Sequence, residues 1–215
     1  KGHYLDTKHP IIMENLHGIK RSLGTRQKSK KPILISDLKL IIKAIDKEKI
    51  RDKALILIGF AGGFRRSELV NIDYEDIEFV NEGVKILIKR SKTDQSGEGS
   101  IKAIPYFDNQ EFCPVVSLKT YIKEKFSNKN YGKVFDISDK SVALIIKRYA
   151  EKAGLDSSRY AGHSLRSGFA TTAAEFGAEE RNIMAMTGHK TTQMVRRYIQ
   201  EANLFKNNAL NKIKI

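Results

Sequence analysis

Residues 74–107 alternate apolar and polar side chains, whereas the segments before and after them carry apolar residues at helical spacing. The alternation runs through 77–79 and 84–88, with a turn between them at 81–83. A polar loop then leads to a short apolar stretch at 101–105. This pattern predicts a mainly α-helical α+β fold, in which a helical domain carries a small three-stranded antiparallel sheet on one edge.

The remaining periodicity predicts a series of helices with recognisable ends. Ser36 is expected to cap the first helix of the main domain, Pro114 to open another, and Ser138 or Asp139 to cap a third. Other helices are predicted at about 51–60, 67–70, 164–176, 179–186, 191–201 and 203–213.

Composition excludes several classes of protein. The chain has 215 residues and is 40% hydrophobic, which suits one globular domain with little more. Cys113 is the one cysteine, so a disulfide framework and a zinc site built on paired cysteines are excluded. The longest apolar stretch, 54–64, is interrupted by glycines and is too short for a membrane span. No signal peptide is visible, and the initial lysine is expected to mark a fragment.

The net charge of +14 is concentrated at the two ends of the chain. Residues 1–31 carry 8 basic and 2 acidic side chains, and residues 181–215 carry 7 and 1. Such an excess favours a nucleic-acid partner, because each cation near a phosphate releases a counterion. Charge alone fits a basic protein with solvated faces equally well.

Several short segments carry residue types suited to binding an anion. His163 and Arg166 are three residues apart, so on a helix they share a face. Arg65 follows a pair of glycines, where a bend can direct its guanidinium into a cleft. Taken alone, the first pair also fits surface placement, and Arg65 also fits an ion pair with Glu68.

Taken in order, these segments form a more specific pattern. A Gly-Phe-Arg-x-Ser-Glu-Leu box at 63–69 precedes Lys92 in the polar loop, then His-x-x-Arg at 163–166, Gly-His at 188–189, and Tyr198 nine residues after that histidine. The pattern resembles the catalytic domain of the tyrosine recombinases, the phage integrase family. The resemblance covers about 32–215. Residues 1–31 resemble the tail of the family's upstream core-binding domain and its basic linker.

The resemblance implies a site-specific recombinase that cleaves and rejoins DNA through a 3′-phosphotyrosyl intermediate, without metal, ATP or cofactor. Tyr198 would be the nucleophile, and Arg65 and Arg166 would bind the nonbridging oxygens. Lys92 would protonate the 5′-oxygen, and His163 would serve as general base or acid. His189 would add a hydrogen bond to the phosphate, and Glu68 would support Arg65.

Alternatives exist for two of these roles. Lys89 and Arg90 also lie in the hairpin region, and Tyr149 and Tyr160 are other tyrosines near the motifs. Basic residues that would contact DNA are Arg26, Lys28, Lys30, Lys31, Arg90, Lys190, Arg196 and Arg197.

The expected partners are double-stranded DNA and further copies of the chain, as a tetramer in the synapse and a monomer or dimer when free. No membrane partner is expected, and the expected location is the cytoplasm, at the nucleoid. The amphipathic segment 201–215 would pack on its own domain or be exchanged with a neighbour. The alternative functions are strand relaxation of the type IB topoisomerase kind and a non-catalytic helical DNA-binding regulator.

Overall fold

The computed structural model describes residues 6–24, 30–89, 99–203 and 209–213. Site residues predicted from the sequence that lie outside these ranges are Arg26, Lys28, Arg90 and Lys92.

The helices follow the predicted order closely. In chain order they are α1 (Pro10–Leu23), α2 (Ile35–Lys43), α3 (Ile50–Ala61), α4 (Arg66–Val70), α5 (Pro114–Lys125), α6 (Asp139–Lys152), α7 (Ser164–Glu175), α8 (Glu180–Thr187) and α9 (Thr192–Asn203). The predicted start of α5 at Pro114 is confirmed. So is the cap of α6, where the Ser138 hydroxyl accepts a hydrogen bond from the Ser141 amide at 3.2 Å.

The predicted cap at Ser36 is wrong. The helix α2 begins at Ile35, so its N-cap position is Leu34, two residues before Ser36, and no side chain caps it. The preceding backbone is extended along the start of α7, where the Ile33 amide donates to the Ser164 carbonyl at 2.9 Å. The helix begins as soon as this pairing ends, so the chain turns before a serine cap can act.

The predicted sheet is confirmed. Its strands β1 (Ile77–Val80), β2 (Gly83–Ile88) and β3 (Ser100–Pro105) pair antiparallel in that order. Val84 lies opposite both Phe79 and Ile104, and it faces the core together with Ile86. The alternation in the sequence therefore corresponds to one buried and one exposed face of the sheet.

The core surrounds α3, whose residues 54–61 are all buried. A helix that is apolar on every side must be covered on every side, and α5 and α7 pack against it. Its last turn ends at Gly62 and leads directly into the Arg65 segment. That segment therefore starts from the most buried element of the domain.

A second apolar cluster joins the last helices. Ala170 and Ala174 of α7, Ile183 of α8 and Val195 of α9 are buried together, and Tyr198 packs partly buried against them. This cluster fixes the position of α9 on the domain.

The C-terminal prediction is corrected in its described part. The helix α9 ends at Asn203, and Ala209–Lys212 form a 3₁₀ turn instead of a continuing α-helix. The side chains of Leu210 and Ile213 are exposed, so neither is buried in the domain core. No helix in the described ranges is long and apolar enough to cross a membrane.

Candidate active site

Arg65 stands at the N-terminal end of α4, held by Glu68. The Glu68 carboxylate accepts the Arg65 amide at 2.9 Å and the Arg65 Nη1 at 2.5 Å. Glu68 is buried, so this ion pair is shielded from water. Gly63, at φ 54°, provides the left-handed turn that leads into the segment. Both conformation and charge therefore fix the guanidinium, whose Nη2 also donates to the Gly188 carbonyl at 3.2 Å.

Arg166 lies on α7 and is 4% exposed. Its Nη1 donates to the Gly63 carbonyl at 2.9 Å, whereas its buried Nη2 has no partner among the described residues. Burial and the nearby Arg65 lower the pKa of Arg166 to about 10, so it stays cationic at neutral pH. A buried charged donor without an acceptor is costly, and an anion would relieve that cost.

His189 follows α8, which ends in the left-handed Gly188. The Thr187 hydroxyl lies 2.6 Å from the Ile183 carbonyl and 2.8 Å from Nδ1 of His189. Two oxygens 2.6 Å apart repel unless a proton lies between them, so the hydroxyl donates to the carbonyl. The neutral imidazole therefore carries its proton on Nδ1, donating it to Thr187.

The electrostatic surroundings keep His189 neutral. Burial is the main cause, and the charges of Arg166, Arg65 and Lys102 add to it, lowering the pKa of His189 to about 4. At neutral pH its Nε2 is consequently an acceptor, not a donor.

Tyr198 lies on α9 beside this histidine. The two rings stack with centroids 6.0 Å apart and an interplanar angle of 30°. Tyr198 is also close enough to Arg166 to affect its titration electrostatically. The candidate nucleophile therefore lies within the field of the buried cations.

One cavity brings the candidate groups together. It has a volume of about 760 Å³ and is lined by Arg65, Arg66, Ser67, Asp139, His163, Arg166, His189, Lys190, Thr191, Met194, Arg197 and Tyr198. A neighbouring cavity of about 650 Å³ shares His163, Arg197 and Tyr198 and is also lined by Lys30 and Lys31. The two cavities form an electropositive surface, which suits a polyanion.

His163 is exposed at the N-terminal end of α7 and lines both cavities. Arg166 is three residues further along the same helix, buried where His163 is open. The two residues therefore line the same cavity at different depths, with Arg166 buried and the His163 imidazole accessible to solvent.

The alternatives for the hairpin lysine and the tyrosine find other partners. Lys89 contacts Asp73 at 3.1 Å and Asp76 at 2.8 Å, and these carboxylates raise its pKa. The hydroxyls of Tyr149 and Tyr160 are buried, donating to Asp52 at 2.9 Å and to Asp37 at 3.0 Å. None of the three lines either cavity.

The predicted DNA contacts divide into two groups. Lys30, Lys31, Lys190 and Arg197 line the cavities, whereas Arg196 is exposed beside Glu180 at 3.4 Å. No group of three metal-ligating side chains occurs in the described ranges.

Two residues that support the site, Thr187 and Lys102, were not predicted from the sequence. Thr187 was missed because a threonine in the last helical turn looks like any other helix residue. Lys102 donates to the Gly62 carbonyl from the core-facing side of β3. Its signal was a lysine in the alternating stretch, two residues before Ile104, where an apolar residue is expected.

The sequence of this domain matches a known protein family. The sequence profile of the phage integrase family matches residues 33–204, and the chain belongs to that family. It is 44% identical to an integrase/recombinase XerD homologue of Selenomonas ruminantium, covering 99% of this chain and 66% of that protein. The chain thus spans just under two thirds of the length of this curated relative.

Solved structures share the fold. The crystal structure of XerA recombinase matches with a TM-score of 0.65 and 19% identity, covering 99% of this chain and 78% of that one. A lambda integrase tetramer bound to a Holliday junction matches with a TM-score of 0.60 and 16% identity, covering 95% and 60%.

Proposed function

We propose that this chain is the catalytic part of a site-specific DNA recombinase that works through a 3′-phosphotyrosyl intermediate. The observation that carries the proposal is the single cavity onto which Arg65, His163, Arg166, His189 and Tyr198 converge. Family membership supports the same chemistry over the alternatives of a topoisomerase or a non-catalytic regulator.

The nucleophilic step uses Tyr198. Its hydroxyl oxygen attacks the phosphorus of a DNA phosphodiester, the bond to the 5′-oxygen breaks, and a 3′-phosphotyrosine and a 5′-hydroxyl result. A phenol is a weak acid and a poor nucleophile while it keeps its proton, so the attack needs a base, and the exposed imidazole of His163 takes that proton. Lys92 returns a proton to the departing 5′-oxygen.

Arg65 and Arg166 stabilise the transition state. Negative charge grows on the nonbridging oxygens, and the buried Nη2 of Arg166 is a donor that is already desolvated and has no partner among the described residues. Glu68 keeps Arg65 in place, so neither guanidinium needs to reorganise during the reaction. These cations supply the charge stabilisation, so we expect cleavage to proceed in EDTA.

His189 has a narrower part in this scheme. With its proton on Nδ1, it can donate to a phosphate oxygen through Nε2 only after taking a second proton. Phosphate charge favours that protonation, so substrate binding and proton uptake are coupled at this residue.

The rest of the organisation follows the family. Residues 1–31 form the tail of an upstream core-binding domain and a basic linker, and residues 32–215 form the catalytic domain with its C-terminal exchange segment. The partners are double-stranded DNA and further copies of the chain, as a tetramer in the synapse. A lambda integrase tetramer on a Holliday junction has the same fold. The setting is the cytoplasm, at the nucleoid.

Adduct formation on a randomised DNA pool tests the proposal without knowledge of the target site. The substrates are DNA duplexes with a randomised central sequence and a nick in one strand. Cleavage near the nick releases a short strand that diffuses away, so the adduct cannot be reversed. The duplexes are incubated with the chain in EDTA. The wild type is expected to form an adduct stable to SDS, and Tyr198→Phe is expected to form none. Tyr131→Phe, an exposed tyrosine outside the cavities, is the matched control. An undiminished adduct in Tyr198→Phe overturns the proposal.

A further inference from the structure

Lys102 occupies a position in β3 where the fold calls for an apolar side chain. It faces the core on the same side as Ile104, opposite Ile86 of β2, and is 5% exposed. A lysine there buries an ammonium group among side chains that offer it little solvation.

Two backbone carbonyls hold this ammonium. The Nζ donates to the Gly62 carbonyl at 2.7 Å and to the Met186 carbonyl, and it lies 4.6 Å from the centroid of the Phe64 ring. Gly62 and Met186 are distant in sequence, so Lys102 joins two separate turns. The first turn leads to Arg65 and the second to His189, each three residues further on.

Burial of the Lys102 ammonium destabilises the folded chain. No carboxylate in the described ranges lies within 4.0 Å of the Lys102 Nζ, and burial lowers its pKa to about 8. The nearby cations Arg65 and Arg166 disfavour its charge further, and Glu68 offsets them in part. An apolar side chain at this position would avoid the desolvation of a buried ammonium. The two backbone carbonyls that Lys102 binds therefore point to a role for it other than stability.

We propose that Lys102 is a positioning residue, which fixes the Arg65 turn and the His189 turn at the separation that phosphate binding requires. The inference rests on the proposed function, since it assigns Lys102 a part in that site. Lys102 lines neither cavity, so it does not reach substrate and acts through the two turns.

The neighbouring contacts explain why a third cation is needed. Arg65 donates to the Gly188 carbonyl and Arg166 to the Gly63 carbonyl, so both arginines already bridge the same region. If they alone held the turns, each guanidinium would have to keep its backbone bond while its other donors bind a phosphate. Lys102 holds the turns from behind and leaves the other guanidinium donors for substrate.

A series of substitutions in the full chain separates charge from hydrogen bonding. Lys102→Met removes both, Lys102→Gln keeps a donor, and Lys102→Arg keeps both. Lys85→Met is the matched control, because Lys85 lies on the exposed face of the same sheet beside Glu78. Thermal unfolding monitors folding of every variant.

The first readout is the single-turnover rate of adduct formation at a saturating concentration of DNA. The DNA is a sequence identified by sequencing the adducts trapped from the randomised pool. Lys102→Met is expected to lower this rate by about 100-fold with little change in DNA affinity, because a displacement of about 1 Å is enough for such a loss. Lys102→Arg should recover most of the loss, with Lys102→Gln between them, and Lys85→Met should match the wild type. A rate for folded Lys102→Met within about threefold of the wild type contradicts the proposal.

The second readout separates positioning from proton donation. A substrate with sulfur in place of the 5′-bridging oxygen has a leaving group that needs no proton. Lys92→Met should regain activity on this substrate, and Lys102→Met should not. Recovery of Lys102→Met on the sulfur substrate would make Lys102 the acid and overturn the positioning role.

The third readout does not depend on DNA cleavage. NMR of the imidazole rings, assigned with His189→Gln, should show the His189 signals displaced in Lys102→Met and its pKa raised by loss of a nearby cation. Unmoved signals contradict the proposal. If the wild type forms no adduct, the proposed function fails, whereas the NMR result still tests whether Lys102 sets the His189 turn.

Discussion

The Thr187 hydroxyl and Nδ1 of His189 lie 2.8 Å apart, in an arrangement where only the imidazole can supply the proton between them. The hydroxyl proton is committed to the Ile183 carbonyl at 2.6 Å. A small polar side chain at the end of α8 thus determines which ring nitrogen of His189 faces the site with a lone pair.

Replacing Thr187 tests this control of the tautomer. Thr187→Val removes the acceptor for the Nδ1 proton, so we expect the ring to populate both tautomers in the DNA-free protein. The ¹⁵N chemical shifts of the His189 ring in the DNA-free protein report the tautomer directly. Thr187→Ser keeps the hydroxyl and should retain the wild-type shifts. A wild-type proton found on Nε2 would contradict the assignment.

The stability of the domain should depend on pH through His189. Its pKa is about 4 in the folded chain and about 6.5 in the unfolded chain, so below pH 6.5 the unfolded state binds the extra proton. Stability is therefore lost as the pH falls, by about 2 kcal/mol between pH 7.5 and 5 from this residue. Urea unfolding of the wild type and His189→Gln at both pH values measures the difference.

The control for this measurement is His17→Gln, since His17 is exposed on α1. It should follow the wild-type pH dependence, whereas His189→Gln should lose less stability on acidification. Identical pH dependence in His189→Gln and the wild type would mean that the histidine is not held neutral by its surroundings.

Arg166→Lys tests whether the site requires the two separate terminal nitrogens of a guanidinium group. Lysine keeps the charge but has one nitrogen, so it cannot bind the Gly63 carbonyl and a phosphate oxygen with two separate groups. We expect the adduct rate to fall by about 100-fold while DNA affinity changes little. Arg148→Lys, on the exposed side of α6, is the control. An equal rate in Arg166→Lys would show that charge alone is sufficient.

The sheet and most helix starts could be predicted because they depend on local patterns. The alternation at 84–88 indicates which face of the strand is buried. Ser138 caps its own helix by accepting a hydrogen bond from the amide of Ser141, three residues further on. The predicted cap at Ser36 was wrong because a backbone contact between residues distant in sequence, Ile33 and Ser164, sets where α2 begins.

The site could be predicted in its residue types but not in its supports. The motif order predicts Tyr198 and Arg166 as site residues, and both line the same cavity. The bonds made by Lys102 cross 40 and 84 residues of sequence, and no local pattern contains that information. The tautomer set by Thr187 depends on two distances that only the folded chain defines.

In the proposed reaction, Tyr198 becomes joined to DNA through a 3′-phosphate. The direct measurement is peptide mapping by mass spectrometry of the adduct trapped from the randomised pool in EDTA, after nuclease and protease digestion. We expect a nucleotide on the peptide that contains Tyr198, linked through its 3′-phosphate. A nucleotide on another residue, or an adduct that forms only with a divalent metal ion, would contradict it.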